Sequence, residues 1–148
     1  MPGIEPRELQ ADSVLDLLIA QCADLESLLA LARREAQAAE TRNFDEILRV
    51  AEERATLGER LEIYHRQIAE MRLRLGELAE PALQTDAAKR TSALAAQIIA
   101  EDARTYPLLL AARSELLHEQ QQLDRSQRAV NAYLQDAPRL SVACDRRA

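Results

Sequence analysis

Apolar residues return at every third or fourth position from near the start of the chain. Ala11, Leu15, Leu18, Cys22, Leu25, Leu29, Ala32, Ala36 and Ala39 step by four and three throughout, the spacing of one face of an α-helix. Val14, Leu17, Leu28 and Leu31 widen that face to the breadth of a helix packed in a bundle. The pattern predicts a first helix from about Pro6, a favourable first helical residue, to about Glu40. A second seam runs through Leu57, Leu61, Tyr64, Ile68, Met71, Leu75 and Leu78. The two do not join, because the step from Ala39 falls on Asn43 and Glu46, both polar. Asn43 followed by Glu46 has the spacing of a capping box, with Asn in place of Ser or Thr. The chain is therefore expected to turn at Asn43 and not to run on as one rod. Phe44, the only phenylalanine, then opens the second helix, where its ring can cover the end of a bundle.

Pro81 is expected to stop the second helix, because the residue before a proline avoids the helical region. "EPALQTD" reads as the next loop, with Thr85 or Asp86 capping a third helix. That helix carries Leu94, Ile98, Leu109, Ala112, Leu116, Leu123, Val130 and Leu134. Pro107 lies inside it and predicts a kink, at a cost of ~3 kcal/mol in a regular helix interior. The periodicity fades after Asp136, so 137–148 reads as a mobile tail. The expected fold is all-α: an antiparallel hairpin or bundle of three long helices forming a single domain over 1–136.

Helix lengths then single out one segment. At ~1.5 Å per residue the first two helices are about 50 Å long and the third about 75 Å. Folding the chain at residues 42 and 83 sets Glu40 level with about residue 122. On that register "LDRSQRAVNAYLQ" overhangs the bundle or folds back on it. Leu123, Val130, Tyr133 and Leu134 form an amphipathic stripe that lacks a partner in its own bundle, and Leu116 and Leu109 precede it on the same helix. These six residues are the candidate partner-binding surface. The stripe must fold back, pair with a second copy, or bind another protein.

Composition narrows the classes. The chain has 148 residues, 47% of them apolar, with three Tyr, one Phe and no Trp, which suits one helical domain with a modest core. A net charge of -6 argues against nucleic acid or an acidic membrane as the main partner, since both call for a basic face. Cys22 and Cys144 make no disulfide framework and read as reduced thiols. No secretory leader or membrane-spanning run appears, so a cytoplasmic location without membrane insertion is expected.

Catalytic chemistry is hard to find. Glu62 with His65, and Glu115 with His118, each give Glu-x-x-His, a motif that di-iron bundles use in pairs. On the expected register the two lie roughly 25 Å apart along the axis, so both read as surface histidines. Arg54 and Asp102 occupy seam positions, but the same register sets them roughly 15 Å apart. Asp102 falls level with Tyr64, whose hydroxyl it is placed to accept, or turns out to solvent. No phosphate loop, Cys-x-x-Cys pair or nucleophile motif is present. No enzyme activity, cofactor or metal is expected; Asn43, Phe44, Tyr64 and Asp102 are assigned structural roles.

Three stretches, in order, resemble one family. "RNFDEILRVAEERATLGERL" resembles the FliT-like flagellar type III export chaperones, in which a Gly/Asn-Asp/Glu-Trp turn opens the second helix. "IIAEDARTYPLLLAARSELL" is similar to their next helix, of the form Ile-Leu-x-Asn/Asp-Asp/Glu. "LDRSQRAVNAYLQ" resembles their Asn-Ala-Tyr segment near the C-terminus. Phe44 in place of Trp, Pro107 and the Arg-containing tail depart from the pattern. The resemblance implies a cytoplasmic chaperone that binds the C-terminal helix of the filament-cap (FliD-like) protein, prevents its premature assembly and escorts it to the export apparatus. It also implies contacts with export-apparatus proteins and, in some members, with a flagellar transcription regulator. The alternatives are a sister FlgN-like chaperone for hook-filament junction proteins, and a non-catalytic helical adaptor or coiled-coil subunit; a homodimer is a further expected partner on any of these readings.

Overall fold

The computed structural model describes residues 6–145, with side chains described over 13–136. The expected tail, 137–148, lies outside the residues whose side chains are described. The fold is all-α, with no strand among the described residues. Helix α1 spans Pro6–Glu40, α2 Phe44–Leu75, the short α3 Glu80–Leu83, and α4 Asp86–Asp145; a 3-10 turn, Gly76–Ala79, leads into α3. The chain divides into two units, Met1–Leu109 and Leu110–Ala148.

The first turn follows from its own residues. At the end of α1, Arg42 takes a left-handed backbone with φ 54. The Asn43 N–H then reaches back to the Ala38 carbonyl at 2.9 Å, closing the last helical turn as a terminal left-handed residue allows. Asn43 caps α2 as expected, its Oδ1 accepting from the Glu46 N–H at 3.2 Å. The reciprocal half of the capping box is not made: the Asn43 N–H goes to Ala38, and Arg34 and Arg49 donate to the Glu46 carboxylate. Phe44 is half-buried as the first residue of α2.

Helices α1 and α2 run antiparallel within the first unit. Arg34 pairs with Glu46, Glu35 with Arg54, and Asp24 with Arg60, so partners on α1 move back from Arg34 to Asp24 as those on α2 advance from Glu46 to Arg60. Two apolar clusters lie within the first unit. One joins Val14 and Leu18 to Ile68, Leu75, Ala79 and Ala82. The other joins Leu25 and Leu29 of α1 to Leu94 and Ile98 of α4. Full burial of each such Leu or Ile side chain contributes about 1.5–3 kcal/mol.

The second turn differs from expectation. Helix α2 ends at Leu75, six residues before Pro81, where Gly76 turns left-handed at φ 54 and donates its N–H to the Arg72 carbonyl. Pro81 does not stop a helix but helps to start one, near the head of α3, where a missing N–H costs nothing. Thr85 caps α4: its Oγ1 accepts from the Ala88 N–H, and its carbonyl from the Lys89 N–H at 3.1 Å.

The compact connection over residues 76–85 moves the register. Glu26 pairs with Arg90, Arg54 pairs with Asp102, and the Arg42 guanidinium donates to the Leu108 carbonyl at 3.3 Å. The end of α1 is thus level with Leu108, not with residue 122. Relative to α2, α4 is displaced by about ten residues, ~15 Å, from the simple fold at residue 83. Helix α4 also continues through Pro107, although proline removes one backbone donor from the ladder. Among the described residues no helix is long and apolar enough to cross a membrane.

Candidate functional site

Two side-chain sets stand out, one that ties helices together and one that meets only solvent. The first centres on Arg54. Its guanidinium donates to both carboxylate oxygens of Asp102, at 2.9 and 2.7 Å, and to Glu35 Oε1 at 2.8 Å. Three helices therefore meet at one cation. Donation to the Asp102 carboxylate is the main cause that holds the Arg54 guanidinium above its ordinary value, with the Glu35 charge adding to it against the cost of burial. This corrects the expectation of Asp102 beside Tyr64: both Asp102 oxygens are taken by Arg54, because α4 sits further along than a tight second turn would place it. Tyr64 is half-buried on α2. The sequence signal was three charges, Glu35, Arg54 and Asp102, at or beside apolar seam positions; the length of the second turn hid their level.

A second fork ties α1 to α2. Arg60 donates from Nε and Nη2 to the two oxygens of Asp24, at 2.9 and 2.7 Å. Asp24 is buried, and planar two-point pairing of this kind is what allows a carboxylate to sit there. Such pairs hold helices in register. Glu62 faces Arg66, and the His118 ring lies 3.1 Å from Gln122 Nε2. Among the described residues no group of three His, Cys, Asp or Glu is placed to hold a metal ion.

The second set lies on α4 in the second unit. Every residue from 113 to 136 is exposed. Among them are Leu116, Leu117, Leu123, Val130, Tyr133 and Leu134, with Leu123 and Tyr133 each 69% exposed. Leu116, Leu123 and Val130 follow one another at intervals of seven, which keeps them on one side of the helix. Tyr133 and Leu134 extend that side by one turn. Single exposed leucines are ordinary; a stripe of them along one helix is not. Leu109 is the exception among the six candidate residues. It belongs to the first unit, is half-buried, and lines a shallow recess with Glu35, Ala51, Arg54, Asp102 and Tyr106.

Sequence reading gave no role to several exposed apolar residues, among them Leu48, Ile99 and Leu73. Leu73, 88% exposed near the end of α2, falls off the apolar seam and was given no role. Compared with protein-family models, curated proteins and solved structures, the chain matches none.

Proposed function

We propose that the chain is a non-catalytic, cytoplasmic export chaperone of the FliT-like flagellar kind. On this reading the antiparallel bundle of α1, α2 and the first part of α4 is a platform held by the Arg54 and Arg60 pairs. The exposed stripe of α4 then binds the C-terminal helix of the filament-cap protein, keeps it unassembled, and delivers it to the export apparatus. A flagellar transcription regulator is a further partner that the family resemblance brings in. The observation that carries the reading is the run 113–136, wholly exposed yet bearing Leu116, Leu123, Val130, Tyr133 and Leu134 on a regular helix. A helix with anchors at such spacing recognises another helix by burying those anchors against its apolar face.

Co-purification tests the proposal. The full chain, used as bait in lysate from flagellated cells, is expected to retain filament-cap protein and not hook-filament junction proteins. The reverse result favours the FlgN-like sister class, and retention of neither overturns the flagellar reading.

A further inference from the structure

The stripe on the second unit has a chemistry that its leucines do not exhaust. Leu116, Leu123 and Val130 recur at seven, and a straight helix drifts ~20° per such interval. A partner that follows them must therefore be another helix, wound with a left-handed supercoil. The complementary seam positions lie three residues after each anchor. They are Glu119, Ser126 and Tyr133, so two of the three are polar, and one carries a charge. Glu119 is exposed and forms no ion pair among the described residues. The neighbouring Gln120, Gln122 and Gln127 carry no charge with which to compensate it.

We infer that the partner of this face is a helix of another protein that sets a Lys or Arg opposite Glu119, and that Glu119 keeps a second copy of this chain off the same face. A parallel self-pair stacks Glu119 on its own copy, two carboxylates in a layer that water is leaving. Like charges so placed disfavour the pairing strongly. An antiparallel self-pair that sets Leu116 on Tyr133 puts Glu119 against Val130, which buries a carboxylate without a counter-charge. A partner helix with a cation at that layer meets neither penalty and gains a charge-assisted hydrogen bond. One polar seam position that selects the partner at some expense of stability is a known device of paired helices.

The inference rests on the reading of this face as a partner-binding surface, and its test is built to separate the two. Two synthetic helical peptides, with identical heptad leucines and either Arg or Glu at the layer facing Glu119, are titrated calorimetrically into the full chain. The Arg peptide is expected to bind at least about tenfold more tightly than the Glu peptide. Glu119→Arg is expected to reverse that order and Glu119→Gln to bring the two near parity, with circular dichroism unchanged because the position is exposed. Sedimentation is expected to show a monomer for the natural chain and self-association for Glu119→Leu with Ser126→Leu. Equal affinity of the two peptides, no binding of either, an order unmoved in Glu119→Arg, or a natural dimer dissolved by Leu123→Ser would each overturn the inference. Retention of filament-cap protein without the Arg preference sinks this inference alone. The Arg preference without that retention sinks only the flagellar reading.

Discussion

Arg42 holds a backbone conformation that side chains with a Cβ rarely take, φ 54, and its guanidinium donates to the carbonyls of Ala39 and Leu108. Glycine adopts that conformation without strain. Arg42→Gly and Arg42→Ala lose the same hydrogen bonds, so their difference isolates the backbone. The glycine variant should be more stable by about 1 kcal/mol in denaturant unfolding; equal stability would mean the residue is not left-handed. Arg54→Ala leaves Glu35, a buried carboxylate, without its cation, and should cost about 2 to 3 kcal/mol. The guanidinium is held above its ordinary value, so its contribution is full wherever a free guanidinium stays protonated and is lost only as pH climbs beyond that range. No loss assignable to Arg54 should appear between neutral pH and pH 10. Of these residue details, the Asn43 cap was legible because its partner, Glu46, is three residues away. The Arg54–Asp102 pair was not, because its partner is 48 residues away and the level of that partner depends on the turn between them.

Helix boundaries show the same division at the scale of elements. Pro6 and Glu40 bound α1 where the apolar seam begins and fails, and Thr85 caps α4 as its side chain suggested. The end of α2 was misplaced because Leu78 continues the seam beyond Gly76, and a pattern of apolar spacing is blind to a left-handed residue within it. Gly76→Ala should therefore destabilise by about 1 kcal/mol. Gly58 sits in the exposed middle of α2, and a Cβ there would touch nothing. Gly58→Ala should stabilise by up to about 1 kcal/mol, the helix-propensity difference. A thermal shift in the same direction for both alanine variants would contradict one of the two backbone assignments. Pro107 was expected to kink its helix, with continuity there left open; α4 runs on through it. Pro107→Ala restores one backbone donor and should slow amide exchange around it, with a gain of up to ~3 kcal/mol in local helix stability.

At the scale of the whole molecule, both apolar clusters and the Arg54 and Arg60 pairs lie within the first unit. The second unit contributes an exposed stripe. Cutting the chain after Ala112 should therefore leave cooperative unfolding in place while removing helix-partner binding. A truncation that unfolds the protein would assign the stripe to the core. That an unpartnered stripe exists was legible from the mismatch of helix lengths; where it begins was not, since the register moved with the second turn. The central claim is that this stripe binds a partner helix. The most direct test is calorimetry of the full chain against the C-terminal helix of the filament-cap protein, repeated with Leu116, Leu123 and Val130 all changed to Ser. The natural chain should bind measurably and the triple variant at least about tenfold more weakly, roughly the effect of removing three buried anchors, with helicity unchanged. Equal binding by both chains would contradict it.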